Sequence, residues 1–119
     1  MPARPDILGA RCSNTLDDVL PELDVVYMLR IQKERLESAA LPSLREYAML
    51  YGINLARMDA MKNEAIIMHP GPINRGVELS ADAADSDRAV ILDQVNSGVA
   101  VRMAVMYLLL GGEGNGAAA

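Results

Sequence analysis

The sequence has no tryptophan or phenylalanine, and only four tyrosines and one cysteine among its 119 residues. Aliphatic and methionine side chains must therefore form the core, and a content of 51% hydrophobic residues is enough to build one. The length of 119 residues corresponds to at most one domain. The single cysteine, Cys12, excludes an internal disulfide and leaves a zinc site without its usual ligands. We interpret Cys12 as a small buried hydrophobic residue in a strand.

A basic stripe and a long apolar run are also missing. The net charge of −5 argues against a nucleic-acid partner. No apolar run of a signal peptide follows Met1. The most apolar stretch, Val99 to Leu110, contains Arg102 and is shorter than the roughly 20 residues of a membrane helix. We therefore expect a cytoplasmic protein that binds neither nucleic acid nor a membrane.

The most informative stretch is the short apolar run from Ala65 to Met68, which leads directly into His69-Pro70-Gly71-Pro72. An apolar run ended by a Pro/Gly cluster indicates a buried strand and the loop that leaves its carboxyl end. Open α/β sheets place their ligands at that end. The two prolines stiffen the loop, which suits it to aiming backbone carbonyls at a ligand. A rigid turn without a ligand remains open from this stretch alone.

A second apolar, β-branched run, Asp24 to Leu29, predicts a strand that is covered on both faces. Upstream, Leu8–Cys12 is a weaker strand candidate, and Thr15 is a plausible N-cap for a short helix that ends by Pro21-Glu22. Strand, helix and strand at this spacing predict a βαβ unit with parallel strands.

The remaining pattern predicts helices around the sheet. They cover 41–51 with a stop at Gly52, 54–61 with Asn54 as N-cap, and 87–110 with Ser86 as N-cap, and a polar loop spans 73–85. The last helix is apolar nearly all round beyond Gly98, so it should be covered on several sides. The predicted fold is α/β: a partial Rossmann-like parallel sheet flanked by helices, ending in a long C-terminal helix.

Three cations, Arg30, Lys33 and Arg35, follow the strand at 24–29. Such a group of cations favours the binding of an anionic ligand, because the planar guanidinium of arginine matches the geometry of a carboxylate or phosphate. Glu34 could pair with Arg30 and fix its direction. A solvated basic turn is the alternative. His69 could act as a general base, but we favour a loop-holding role because no second catalytic partner stands out.

Segments 24–35 (Asp-Val-Val-Tyr-Met-Leu-Arg-Ile-Gln-Lys-Glu-Arg) and 67–79 (Ile-Met-His-Pro-Gly-Pro-Ile-Asn-Arg-Gly-Val-Glu-Leu) closely resemble the catalytic chain of the aspartate carbamoyltransferase family. Segment 93–104 also resembles that family's C-terminal helix. The resemblance extends from Leu8 to about Leu110. It implies that residues 1–110 are the C-terminal part of the aspartate-binding domain, followed by a flexible tail at 111–119.

The resemblance also implies roles for individual residues. Arg30 would bind a carboxylate of L-aspartate, with Gln32 close by and Glu34 orienting the arginine. Gly71 and Pro72 would hold the carbamoyl group of carbamoyl phosphate through backbone carbonyls, and their peptide bond should be cis. His69 keeps its loop role.

The activity implied is transfer of the carbamoyl group to the aspartate amine, with phosphate leaving and no cofactor. Juxtaposition of the two substrates and charge stabilisation would supply catalysis. The related ornithine enzymes carry a His-Cys-Leu-Pro turn, whereas this sequence has His69-Pro70-Gly71-Pro72. A carbamoyltransferase for another amino acid is a weaker alternative.

The family's Ser-x-Arg-Thr-Arg and His-Pro-x-Gln motifs, which belong to its carbamoyl-phosphate domain, occur nowhere in this sequence. We therefore expect the 119-residue chain to be inactive alone. The parent enzyme would be a homotrimer, with regulatory subunits or a dihydroorotase as possible partners. A non-catalytic carboxylate-binding or scaffold module derived from the family is the alternative.

Overall fold

Two short parallel strands form the centre of the fold in the computed structural model, which describes residues 9–32 and 43–111. Strand β1 is Val25–Tyr27 and strand β2 is Ile66–Met68. They pair in parallel, with Val26 opposite Ile67. Both of these side chains are buried, but Val25 and Tyr27 on the other face of β1 are exposed, so the prediction that this strand is covered on both faces is wrong within the described residues. The predicted α/β fold is confirmed, and the two apolar runs are neighbouring parallel strands.

The segment just before the C-terminal helix lies against the other edge of β2. The N–H of Ile67 donates to the carbonyl of Arg88 at 2.7 Å, and the N–H of Val90 donates to the carbonyl of Ile67 at 3.0 Å. These bonds form a single parallel bridge between Ile67 and Ala89. Strand β2 is therefore hydrogen-bonded on both sides.

Short helices connect and flank these strands. They are α1 (Leu16–Val19), α2 (Leu44–Tyr51), α3 (Leu55–Ala60), α4 (Ala81–Ala84) and α5 (Ile91–Met106). A 3₁₀ turn, Leu20–Glu22, follows α1, and a π-helical turn, Tyr107–Gly111, follows α5. The predicted short first helix that ends at Pro21-Glu22 is confirmed.

Three of the helices begin with a side-chain cap. The side chains of Ser43, Asn54 and Ser80 accept hydrogen bonds from the backbone N–H three residues further on, which satisfies a free donor of the first turn. The Asn54 cap was predicted. Helix α2 ends at Gly52, also as predicted, whereas the expected start at Leu41-Pro42 lies outside the described residues.

Gly52 is needed for close approach of two backbone segments. A Cβ atom there would lie 2.6 Å from the carbonyl oxygens of both Ala48 and Val77. The end of α2 therefore packs directly on the segment before α4. Each of these two segments also contributes one fully buried residue to the core. Ile53 follows Gly52, Leu79 precedes α4, and both are 0% exposed.

The core combines aliphatic and methionine side chains, in agreement with the composition. Its buried members are Leu20, Val26, Met28, Ile53, Met58, Met61, Ala65, Ile67, Leu79, Ala83 and Ile91.

Arg88 connects α3 to β2 through main-chain contacts alone. Its guanidinium donates to the carbonyl oxygens of Met58 (2.8 Å), Ala65 (2.9 Å) and Lys62. The planar fork of arginine can serve several acceptors at once, so one side chain fixes the whole connection.

The predicted strand at Leu8–Cys12 is wrong for the residues that the structure describes. Gly9 lies in a turn, residues 10–12 have no regular structure, and Cys12 is exposed rather than buried. Within 9–32 and 43–111, the only strand paired with β1 is β2. The first βαβ unit is therefore absent from the described residues, because residues 9–12 do not pair with the free edge of β1.

Two predictions for the C-terminal half are also corrected. Ser86 does not cap the long helix, because its hydroxyl donates to the carbonyl of Ala83 at 2.8 Å and closes α4. The helix begins later, at Ile91, because residues 88–90 first pair with β2. The predicted loop 73–85 contains α4, and Asp82 lies on that helix.

Helix α5 carries a large apolar surface that nothing in the described part of the chain covers. Leu92 is 79% exposed and Met103 is 67% exposed, and Ile91 is the one buried residue of the helix. The sequence predicted a helix that needs cover on several sides, and that cover is not provided by residues 9–32 or 43–111. The predicted tail beyond Gly111 lies outside the described residues.

Among the described helices, none combines the length and the apolar character needed to cross a membrane.

Candidate functional site

The described residues among those singled out from the sequence follow the carboxyl ends of the two strands. The N–H of Met28 donates to the carbonyl of Met68 at 2.8 Å, which extends the pairing of β1 and β2 to their carboxyl ends. Arg30 follows one strand and His69 follows the other. The parallel arrangement therefore brings the loop that begins at Arg30 beside the turn His69–Pro72, at the edge where open α/β sheets bind ligands.

The turn after β2 has an unusual backbone. The Gly71–Pro72 peptide bond is cis, as predicted, and Gly71 has φ of +66°. This left-handed conformation favours glycine, since a Cβ atom would be strained there even with open space around it. The N–H of Gly71 donates to Nδ1 of His69 at 2.9 Å, which closes the turn on the imidazole ring.

His69 is completely buried. Its Nδ1 accepts a hydrogen bond, so the neutral ring carries its proton on Nε2. Burial lowers the pKa of His69, and Arg30 lowers it further, against an opposite effect of Glu78. Nε2 is buried and has no hydrogen-bond partner in the described structure. His69 is therefore a neutral side chain that supports the turn from within.

Gln94 of α5 ties the turn to both strands. Its Oε1 accepts from the backbone N–H of His69 at 3.0 Å, and its Nε2 donates to the hydroxyl of Tyr27 at 3.1 Å. Tyr27 is the last residue of β1. One amide thus connects the carboxyl ends of the two strands.

Glu78 is a second fully buried polar residue near this edge. One carboxylate oxygen, Oε1, accepts from the N–H of Ile31 at 2.6 Å and from Nδ2 of Asn74 at 2.7 Å. The other, Oε2, accepts from the N–H of Asn74 at 2.9 Å. Burial by itself raises the pKa of Glu78, but these bonds from Ile31 and Asn74 outweigh it, and the pKa lies below its usual value. The carboxylate is ionised at neutral pH.

Arg30 is partly buried, and its Nε has no hydrogen-bond partner in the described structure. Gln32, two residues on, is exposed. Glu34 lies outside the described residues, as do Lys33 and Arg35, so the suggested Glu34–Arg30 pair stays a prediction. The structure therefore brings together Arg30, His69 and the Gly71–Pro72 turn from the predicted set.

Sequence reasoning did not identify Asn74, Glu78 or Gln94 as parts of this site. The pattern of residues 73–85 predicts a polar loop that includes Glu78, yet Glu78 stands between the apolar residues Val77 and Leu79. A single acidic residue between two apolar neighbours is the signal that could have indicated the burial of Glu78. No equivalent local signal marks Gln94, because its partners lie 25 and 67 positions away.

Residues 9–109 match the family described as aspartate/ornithine carbamoyltransferase, Asp/Orn-binding domain. The chain is 55% identical over 113 residues to the aspartate carbamoyltransferase catalytic subunit of Syntrophotalea carbinolica, which covers 95% of this chain and 36% of that protein. It is 52% identical over 109 residues to the subunit of the same name from Natranaerobius thermophilus, covering 92% and 35%.

Solved structures give the same result. Aspartate transcarbamoylase from Trypanosoma cruzi in complex with carbamoyl phosphate matches with a TM-score of 0.65 and 38% identity, over 76% of this chain and 28% of that one. The same enzyme with carbamoyl phosphate and aspartate matches with a TM-score of 0.63 and 37% identity, over 80% and 28%. The chain thus spans about a third of the length of the relatives that it matches.

Proposed function

Because the chain belongs to the aspartate/ornithine carbamoyltransferase family, we propose that it is the C-terminal part of the aspartate-binding domain of an aspartate carbamoyltransferase. The complete enzyme transfers the carbamoyl group of carbamoyl phosphate to the amine of L-aspartate and releases phosphate, which forms N-carbamoyl-L-aspartate for pyrimidine biosynthesis. The observation that carries this proposal is the placement of Arg30 beside the cis Gly71–Pro72 turn at one sheet edge.

In this proposal Arg30 and Gln32 bind aspartate. Aspartate has a second carboxylate that needs a cation, and arginine offers two parallel N–H donors to it. The Nε of Arg30 is buried and has no hydrogen-bond partner among the described residues, so no carboxylate in that part of the chain occupies this donor. The names of the relatives support aspartate as the acceptor over ornithine.

The turn after β2 supplies the other substrate contact. We assign the carbamoyl group to the backbone carbonyls of Gly71 and Pro72. His69 supports them through its bond from the Gly71 N–H, and its neutral ring adds no charge to the site. Fixed carbonyls lose little freedom when a ligand binds, which favours a productive orientation of the two substrates.

In this proposal the contacts to the phosphate group of carbamoyl phosphate come from a part of the enzyme outside this sequence. The relatives are about three times longer, and the phosphate-binding motifs of the family are missing here. The 119-residue chain is therefore inactive by itself in our proposal, and catalysis belongs to a longer polypeptide that assembles as a cytoplasmic homotrimer. The exposed apolar surface of α5 is where the missing domain packs.

The proposal is tested with the native polypeptide that contains this chain. We expect formation of N-carbamoyl-L-aspartate, and Arg30→Leu should lower kcat/KM for aspartate by about 100-fold or more, since a charge-assisted bidentate contact is lost. Arg11→Leu is the control, because Arg11 pairs with Glu22 on the surface. An active wild type that is indifferent to Arg30→Leu would point to a different amino-acid acceptor.

The size of the native polypeptide separates the proposal from its alternative, a non-catalytic module. A mass about three times the 12.8 kDa of this chain agrees with the length of the relatives. A native polypeptide of 12.8 kDa without carbamoylation activity would favour the binding module instead.

A further inference from the structure

A buried hydrogen-bond cluster joins the two loops of the proposed site. It consists of Glu78, Asn74 and the main chain of Ile31, and we call it the Glu78 clamp. Ile31 is held at both of its backbone groups: its N–H donates to Glu78 Oε1 at 2.6 Å, and its carbonyl accepts from Asn74 Nδ2 at 2.9 Å. Ile31 stands directly between Arg30 and Gln32.

The base of the clamp is rigid. The carbonyl of Glu78 accepts from the N–H of Ile53 at 2.9 Å, and Leu79 beside it is fully buried. Gly76 has φ of +80°, and its N–H donates to the carbonyl of Leu79 at 2.7 Å, which closes a tight turn that contains Glu78. Glu78 is therefore anchored to the core independently of the Arg30 loop.

The clamp uses a charged group without neutralising Arg30. Both carboxylate oxygens of Glu78 accept from neutral N–H groups, of Ile31 and Asn74. Within the described residues, Glu78 forms no ion pair with a cation. A carboxylate bonded to the Arg30 guanidinium would compete with a substrate carboxylate, and this arrangement avoids that competition.

We propose that Glu78 and Asn74 are positioning residues for the acceptor substrate. They hold Ile31, and through it the directions of Arg30 and Gln32, against the turn at His69–Pro72. This inference rests on the proposed function, because it assumes that Arg30 binds aspartate. The contribution is indirect, since the clamp contacts the main chain and not the ligand.

The sharpest variant is Glu78→Gln in the native polypeptide. Gln has the same shape, but its amide presents donors where Glu78 presents an acceptor to the Asn74 N–H, so the clamp cannot form completely. We expect the KM for aspartate to rise about tenfold or more, as displacement of a binding group by about 1 Å can do. The KM for carbamoyl phosphate should change by less than about threefold, because most of its contacts lie elsewhere.

A second variant guards against failure of Glu78→Gln to fold. Asn74→Ala removes both side-chain bonds of Asn74 but leaves its N–H on Glu78, and it should shift the aspartate KM in the same direction. The control is Arg75→Gln, because Arg75 lies in the same loop and pairs with exposed Asp85. It should leave both KM values unchanged.

The outcomes separate the two proposals. An inactive wild-type polypeptide would refute the proposed function and, with it, the positioning role. An active wild type whose aspartate KM is unaffected by Asn74→Ala would overturn the clamp alone. An equal rise of both KM values in Glu78→Gln and Asn74→Ala would also overturn it, because general loosening of the fold has no preference for aspartate.

Discussion

The carboxylate of Glu78 lies 2.6 Å from the backbone nitrogen of Ile31, although 47 positions separate them in the sequence. This bond joins the end of β1 to the segment beyond β2. Sheet pairing alone brings the two strand ends together, but it does not fix the loops that leave them. Gln94 and the Glu78 clamp supply that additional order through hydrogen bonds to His69, Tyr27 and Ile31.

Arg88→Lys should destabilise the native polypeptide by about 2 kcal/mol. Lysine keeps the charge, but its compact ammonium cannot serve the carbonyls of Met58, Lys62 and Ala65 together. Urea unfolding measures the difference. The matched control is Arg11→Lys, because an exposed ion pair is worth about 0–1 kcal/mol. Equal losses in the two variants would contradict the prediction.

The Arg57–Asp17 pair should make stability depend on pH in the acid range. The hydrogen bond from Arg57 holds the pKa of Asp17 below its usual value of 3.8. A carboxyl group with a depressed pKa in the folded state stabilises the fold above its unfolded pKa, and this contribution disappears as the pH falls through the folded pKa. The Tm difference between wild type and Asp17→Asn should therefore be largest near neutral pH and shrink below about pH 4.

Thermal unfolding at several pH values checks this expectation. Asp59→Asn, an exposed substitution on α3, serves as the control for a simple loss of one negative charge. A Tm difference for Asp17→Asn that stays constant down to pH 3 would mean that the ion pair seen here does not persist in solution.

Gln94→Leu should cost about 1–2 kcal/mol of unfolding free energy, because it leaves the partly buried N–H of His69 without an acceptor. Tyr27→Phe removes the exposed bond alone and should cost less than about 1 kcal/mol. A double-mutant cycle in the native polypeptide measures both and their coupling. The prediction fails if Tyr27→Phe is the more damaging change.

Met103→Lys should destabilise the native polypeptide by about 2 kcal/mol or more, although Met103 is 67% exposed in the described structure. The reason is that our proposal places a further domain on α5, and that domain would bury the new charge. Asn96→Lys, an exposed substitution on the same helix, is the control. If both variants unfold at the wild-type temperature, the apolar surface of α5 remains open in the native protein.

Local patterns in the sequence were sufficient for much of the fold. The apolar run before His69 predicted β2, the polar side chain of Asn54 predicted the start of α3, and Gly52 predicted the end of α2. Each of these signals depends on neighbours within a few positions. The cis Gly71–Pro72 bond was also predicted, with the family resemblance as its main support.

The errors arose where distant residues decide the structure. Ser86 has the chemistry of an N-cap, but pairing of residues 88–90 with β2 delays the helix to Ile91. Cys12 lies in a segment with strand-like residues, but this segment does not pair with β1 in the described chain and Cys12 is exposed. The local pattern predicts an exposed loop position for Glu78, because its partner Ile31 is 47 positions away in the sequence. The site residues themselves remain predictions until the variants are measured.

The contacts of Arg88 have an evolutionary consequence. They are made to carbonyl oxygens that every amino acid possesses, so the side chains at 58, 62 and 65 can change over time without loss of the contact. The Arg88 contacts therefore place no demand on the side chains of the connection from α3 to β2, although core packing still limits the buried Met58, Met61 and Ala65. Arg88 itself cannot be replaced without loss of these contacts, so we expect descendants to retain it even where the residues around it have been replaced.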